Sequence, residues 1–130
     1  MAAYHFLSKA AYGEALRKLR KSGDPSTLFS ENPRYKSLLI HYSNVKNKAE
    51  FHNFVDDIYF VVSGRAKITV GGNLVEPEKL NENDVLGARI KGGETLKISE
   101  GDILLIPKKT PHMLDVRGGS ISYIIIKITR

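Results

Sequence analysis

The chain contains no cysteine. Disulfides, thiolate metal ligands and a cysteine nucleophile are therefore all excluded. No apolar run approaches the roughly 20 residues that a membrane-spanning helix needs. The opening residues, Met1 to Lys9, also lack the long apolar stretch of a secretory signal. These absences lead to the expectation of a cytoplasmic protein without a membrane partner. Internal repeats and low-complexity segments are missing too. Histidine is scarce enough that each one can be weighed: His5, His41, His52 and His112.

What is present fits one soluble domain. A chain of 130 residues with 42% hydrophobic and 26% charged residues can bury a single core. The net charge of +6 raises the question of a nucleic-acid partner. Much of the excess lies in Arg17, Lys18, Arg20, Lys21, Lys46, Lys48, Lys108 and Lys109, scattered over the chain rather than drawn into a stripe with stacking aromatics. A solvated basic surface accounts for this, and no nucleic-acid partner is expected. Lys108 and Lys109, close to His112 in sequence, could instead steer a small anion toward a pocket.

The opening segment reads as a helix. Ser8 is a candidate N-cap, Leu7, Ala11, Ala15, Leu16 and Leu19 recur at helical spacing, and Gly23-Asp24-Pro25 ends the element. The basic residues of its last turn suit the helix dipole without any partner. From about Ser26 the pattern is β. Expected strands are Tyr35–Tyr42, Ala49–His52, Asp57–Val62, Arg65–Val70, Val85–Ile90, Thr95–Ile98, Asp102–Ile106, His112–Val116 and Ser120–Ile128, punctuated by Ser63-Gly64 and three Gly-Gly pairs. Asn73–Asp84 reads as the longest irregular loop. Short strands joined by glycine turns, with no helices between them, predict an all-β antiparallel sandwich or barrel. The expected organisation is one domain over 1–130, with the helix and a connecting segment in 1–34 and the barrel in 35–130.

Two regions carry candidate chemistry. Glu50 and His52 stand two apart on a strand and so project from one face. Asn53–Asp56 can turn the chain so that Asp57 opens the next strand of a hairpin, close to His52. Far downstream, Gly101 to His112 runs strand, turn, strand, and the second strand opens with His112. His5 lies outside these settings, and His41 reads as a hydrogen-bonded barrel histidine.

The first region is similar to the first motif of the cupin superfamily, in which His-x-His precedes Glu and then Gly. Asp57 stands at the Glu position relative to Gly64, His52 at the second His, and Glu50 where the first His would be. The second region resembles the second cupin motif: Gly101, Pro107 and His112 are in register, Lys109 replaces an inner glycine, and Val116 replaces a terminal Asn. The resemblance runs from about Ser37 to Ile128 and looks closest to small single-domain cupins carrying Glu-x-His, Asp-Ile-Tyr and Pro-His. It implies a jelly-roll-like barrel, a homodimer, and one divalent transition metal per chain held by His52, Asp57 and His112 with Glu50 as fourth ligand or general base.

Imidazole and carboxylate donors suit Fe(II), Mn(II), Ni(II) or Zn(II). Replacing a histidine by Glu50 adds negative charge and favours harder ions, whereas the shorter Asp57 must lie closer or bind through water. The same residues could alternatively form a metal-free polar network, still able to transfer protons. The implied function is a metalloenzyme acting on a small polar or anionic molecule, by isomerase, lyase or dioxygenase chemistry. A non-catalytic small-molecule binder is the rival. Phe51, Phe54, Tyr59, Phe60, Tyr123, Tyr42 and Arg89 are further candidates for ligand contact.

Overall fold

A computed structural model describes residues 4–130; residues 1–3, part of the segment read as lacking a leader, lie outside the described residues. Helix α1 (Lys9–Ser22) is followed by strands β1 (Ser26–Glu31), β2 (Tyr35–Ser43), β3 (Ala49–His52), β4 (Val55–Val70), β5 (Asn73–Val75), β6 (Glu78–Lys79), β7 (Asp84–Gly87), β8 (Arg89–Lys91), β9 (Glu94–Ser99), β10 (Ile103–Ile106), β11 (His112–Asp115) and β12 (Ser120–Thr129). Every pairing between them is antiparallel.

The Ser8 hydroxyl caps α1, accepting from the Ala11 amide at 3.1 Å, and Gly23 ends it in the left-handed conformation. Leu16 and Leu19, three apart and so on one face, bury against Leu39 on the outside of the sheet, beside Phe29, Val62 and Ile124. Arg20 then reaches across, donating to Ser63 Oγ at 2.8 Å. Ser122 Oγ lies 2.8 Å from His41 Nδ1, so His41 belongs to a hydrogen-bonded pair on the outer face, under the helix.

Strand β4 organises the rest. Its first half pairs with β10 and β12, its second with β9 and β11. Sequence reading expects two strands separated by a turn at Ser63-Gly64; instead the chain runs straight through with a bulge. Opposite Ser122 and Tyr123 the register shifts, and the inward positions change parity, from Asp57, Tyr59 and Val61 to Ala66 and Ile68. Gly64 sits there with φ +78, and a Cβ on it would lie 2.1 Å from the Ser120 carbonyl oxygen. Only glycine meets both demands.

Inward residues from both halves of the sheet close on one core: Tyr59, Val61, Ile106, Ile121, Tyr123 and Ile125 from one side, and Ala66, Ile68, Ile98, Leu114 and Val116 from the other. Three other boundaries differ from expectation. Ser26–Glu31, taken as connecting segment, is an edge strand on β2. Val85–Ile90 splits at Ala88 into β7 and β8, which pair with different neighbours. The loop over 73–84 contains two short strands, β5 and β6. Arg89 lies on β8, in the small two-stranded sheet with β5, away from the core.

Candidate metal centre

Strand β3 presents Glu50 and His52 inward. Strand β11 lies directly beside it, with His112 opposite Glu50. Asp57 comes from the start of β4, which does not pair with β3, so the expected hairpin contact is replaced by an approach across the barrel interior. The result is nevertheless close: His52 Nε2 lies 3.2 Å and His112 Nε2 3.7 Å from Asp57 Oδ2. Glu50 Oε1 is 3.6 Å from the first nitrogen and 3.5 Å from the second. One donor atom each from Glu50, His52 and His112 lie within 4.8 Å of one another. Glu50, His52 and His112 thus form one mutually close group, and Asp57 joins it from the side of the two histidines.

The other ring nitrogens decide what those donors present. His52 Nδ1 lies 2.7 Å from Asp84 Oδ1, and His112 Nδ1 lies 3.0 Å from the Thr110 carbonyl oxygen. A carboxylate and a carbonyl only accept, so both Nδ1 atoms carry protons. In the neutral rings both Nε2 atoms then hold lone pairs, aimed at Asp57 Oδ2, which holds its own. Among the described residues these three atoms, His52 Nε2, His112 Nε2 and Asp57 Oδ2, are the buried side-chain polar atoms without a hydrogen-bond partner. Lone pairs converging in a buried space require a cation or added protons. Atoms bonded at about 2.1 Å to one ion stand roughly 3–3.5 Å apart, close to what is found here. The donor set therefore fits a divalent metal, and the two Nδ1 bonds are the outer supports that such sites use.

Electrostatics describe the same pressure. Burial opposes charge on Asp57 but is outweighed by His52 and Lys127, and its carboxyl titrates below the usual range. Burial of Glu50 is likewise outweighed by His112, His52 and Lys127, lowering its pKa. For His52, burial is overcome by Asp57 and Glu50, which raise its pKa above the ordinary imidazole value.

The turn before His112 answers for the missing motif glycine. Lys109 itself takes the left-handed conformation, φ 64, and its amide donates to the His52 carbonyl at 2.6 Å. A lysine there costs about 1–2 kcal/mol of backbone strain, and the bond ties the two histidine-bearing segments together. Lys108 is turned elsewhere, its amide bound to Asp56 and its Nζ 3.4 Å from the Arg130 carbonyl.

A cleft of about 640 Å³ opens over the cluster, with Glu50, His52 and Asp84 in its wall. Its lysines are Lys36 and Lys127, not the expected Lys108 and Lys109. Of the aromatic candidates Phe54 lines it, joined by Tyr35; Phe51 and Phe60 do not. Tyr59 and Tyr123 are core residues with ring centroids 4.9 Å apart. A larger cleft of about 910 Å³ lies elsewhere, among Arg65, Lys67, Lys97 and Arg117, and none of the four converging residues lines it.

Sequence reading missed Asp84 and Lys127. Asp84 shows itself only through register, as the residue opposite His52 on β7. Lys127 had a visible signal: it interrupts the inward phase of an otherwise apolar strand, Ile121, Tyr123, Ile125, Lys127.

No protein-family model matches the chain, and no curated protein does. Solved structures do. KdgF from a Halomonas species aligns with TM-score 0.60 and 16% identity over 81% of this chain and 77% of that one. A cupin protein from Bacteroides fragilis aligns with TM-score 0.60 and 16% identity over 99% of this chain and 86% of that one. A structure from a study of DMSP lyases aligns with TM-score 0.53 and 13% identity over 75% of this chain but only 40% of that one. Identities this low speak for the fold alone. The doubled sheet bent through β4, the single inward core and these neighbours together make the chain a cupin in fold.

Proposed function

We propose that this chain is a small metal-binding cupin that works as a metalloenzyme on a small polar or anionic organic molecule at the barrel mouth, within one domain. The reading rests on one observation: three buried lone-pair atoms, on His52, His112 and Asp57, converge without a partner while both supporting Nδ1 bonds are in place. His52, His112 and Asp57 hold the ion, and Glu50 completes the set or moves a proton. A divalent Fe, Mn, Ni or Zn ion would supply Lewis-acid polarisation of a substrate oxygen, or a site for O₂.

Glu50 tilts the choice of reaction toward proton transfer. Its side chain is 36% exposed, against 7% for His52, 5% for His112 and 1% for Asp57. It alone combines a place in the cluster with substantial access to the cleft. An ionised carboxylate at that boundary can take a proton from a bound molecule and return it elsewhere, the work of an isomerase or lyase. The likeness to a DMSP lyase structure is consistent with lyase chemistry on this fold. A dioxygenase or a binder without turnover would use the same donors.

Elemental analysis of protein purified without added metal tests the reading. One ion per chain, lost in His52→Ala and His112→Ala, is expected. Metal far below one per chain, unchanged by either substitution, would leave the metal-free proton-transfer network as the account of these residues. Solvent-deuterium exchange into candidate substrates then separates proton transfer from O₂ uptake.

We also propose a homodimer. Ile103 (71% exposed) and Leu105 (59% exposed) on β10 continue across Phe60 and Ile58 to Ile126, forming an apolar outer face that α1 leaves uncovered.

A further inference from the structure

Among the described residues, Lys127 is the one lysine or arginine bonded to the cluster. It follows Ile121, Tyr123 and Ile125 in the inward phase of β12, directly opposite Asp57 on β4, and its Nζ donates to Asp57 Oδ1 at 2.9 Å. The side chain is 23% exposed and lines the cleft. On the other side of β12, Lys36 of β2 stands in register with Lys127 and lines the same wall. Glu31 stands opposite Lys36 and lines the same wall.

A lysine on the inward face of β12, near its end, loses part of its hydration and side-chain freedom. Its bond to Asp57 compensates that buried carboxylate but uses one of the three ammonium protons. Asp57 has two oxygens, and a lysine on Oδ1 draws electron density from the carboxylate whose Oδ2 faces the histidines, which weakens it as a metal donor. What the arrangement does provide is a fixed positive charge one carboxylate's width from the cluster. Asp57 demonstrates the span: one oxygen rests on Lys127 while the other lies 3.2 Å from His52 Nε2 and 3.7 Å from His112 Nε2. A ligand carboxylate entering from the cleft can bridge the same two groups.

We propose that Lys127, backed by Lys36, is the specificity residue for a carboxylate on the substrate, which is a small hydroxy or keto acid whose acid group binds the lysine while its adjacent oxygen faces the histidines. This rests on the proposed small-molecule site but not on the presence of metal. The lysine makes anion binding selective: against Glu31, Glu50 and Asp84 in the cleft wall, Lys36 by itself would leave an acid repelled. With Lys127 in place it meets a charge-assisted donor.

The test compares acids with their neutral amides by calorimetry: glycolate, lactate and gluconate against glycolamide, lactamide and gluconamide. The wild-type protein is expected to bind at least one acid roughly 10–100-fold more tightly than its amide, the range a charged hydrogen bond supplies. In Lys127→Gln that preference should collapse to within about 3-fold, and in Lys127→Arg it should persist. A purely structural role would weaken acid and amide alike. Equal binding of acids and amides by the wild type overturns the inference, as does a preference that survives Lys127→Gln. If the variants do not fold, saturating gluconate must protect Lys127 of the wild type from acetylation, read by peptide mass spectrometry; absence of protection overturns it. Should the purified protein hold no metal, the metal reading falls, while the acid-against-amide comparison decides this inference unchanged.

Discussion

Asp84 and His52 face each other across β7 and β3, and Asp84 Oδ1 accepts the hydrogen bond of His52 Nδ1 at 2.7 Å. That one bond fixes the tautomer, turns the Nε2 lone pair inward and makes the ring more basic. Asp84 is itself held by Asn81 Nδ2 at 3.0 Å and Asn83 Nδ2 at 3.1 Å, so the turn over 81–84 serves to aim a carboxylate. Asp84→Ala should therefore lower metal affinity about 10–100-fold and, by leaving the His52 Nδ1–H without its acceptor, cost the metal-free protein about 1–3 kcal/mol. Competition with a chromophoric chelator measures the affinity.

The pH response of the metal-free protein has two limbs. Asp57 and Glu50 have lowered pKa values, so the stability they contribute is present above their unfolded values and is lost as pH falls through the folded ones. His52 has a raised pKa, so its contribution is complete below the ordinary imidazole value of about 6.5 and disappears as pH rises through the folded value. Metal-free protein should be most stable in mildly acidic solution and weaken as pH rises beyond the ordinary imidazole value of about 6.5. Metal binding needs His52 neutral and must run the other way, strengthening over the same interval and releasing protons. Denaturant melts across pH, with calorimetry in buffers of different ionisation enthalpy, check both limbs.

Two glycines should respond to alanine with opposite signs. Gly64→Ala places a Cβ 2.1 Å from the Ser120 oxygen at φ +78, and should destabilise by about 2–4 kcal/mol or prevent folding. Gly13, inside α1 with nothing within 4 Å, should gain about 0.5–1 kcal/mol as alanine. Chemical denaturation of both variants tests whether the bulge, rather than helix propensity, limits this fold.

The apolar face formed by Ile103, Leu105 and Ile126 should disappear into the dimer. Leu105→Glu is expected to shift the protein to monomer in sedimentation velocity without loss of fold, since Leu105 is 59% exposed and lies outside the core. A wild-type chain that is already monomeric at tens of micromolar would remove the dimer from the account.

Much of this architecture was legible before any coordinates. Arg65–Val70 alternates apolar and polar residues, and Ala66, Ile68 and Val70 do form its inward face; Ser8 with Gly23 marked both ends of the helix. Glu50, His52, Asp57 and His112 could be paired because strand phase and motif spacing act over short distances. What stayed hidden was set by long-range register. Ser63-Gly64 carries the local signature of a turn, and only pairing with β12 makes it a bulge. Asp84 and Lys127 reach the cluster through strands distant in sequence, and nothing local in either segment names the partner. Lys109 is the reverse case: its sequence departs from the motif glycine, yet the backbone keeps the conformation that glycine would have taken.

The central claim is that one cation belongs between His52 Nε2, His112 Nε2, Asp57 Oδ2 and Glu50 Oε1. An anomalous-scattering map from crystals grown without chelator measures it directly. The account predicts one peak, at bonding distance from both Nε2 atoms, whose absorption edge identifies the element. An empty map, with a water or a direct hydrogen bond from a protonated His52 to Asp57 in that place, would contradict it.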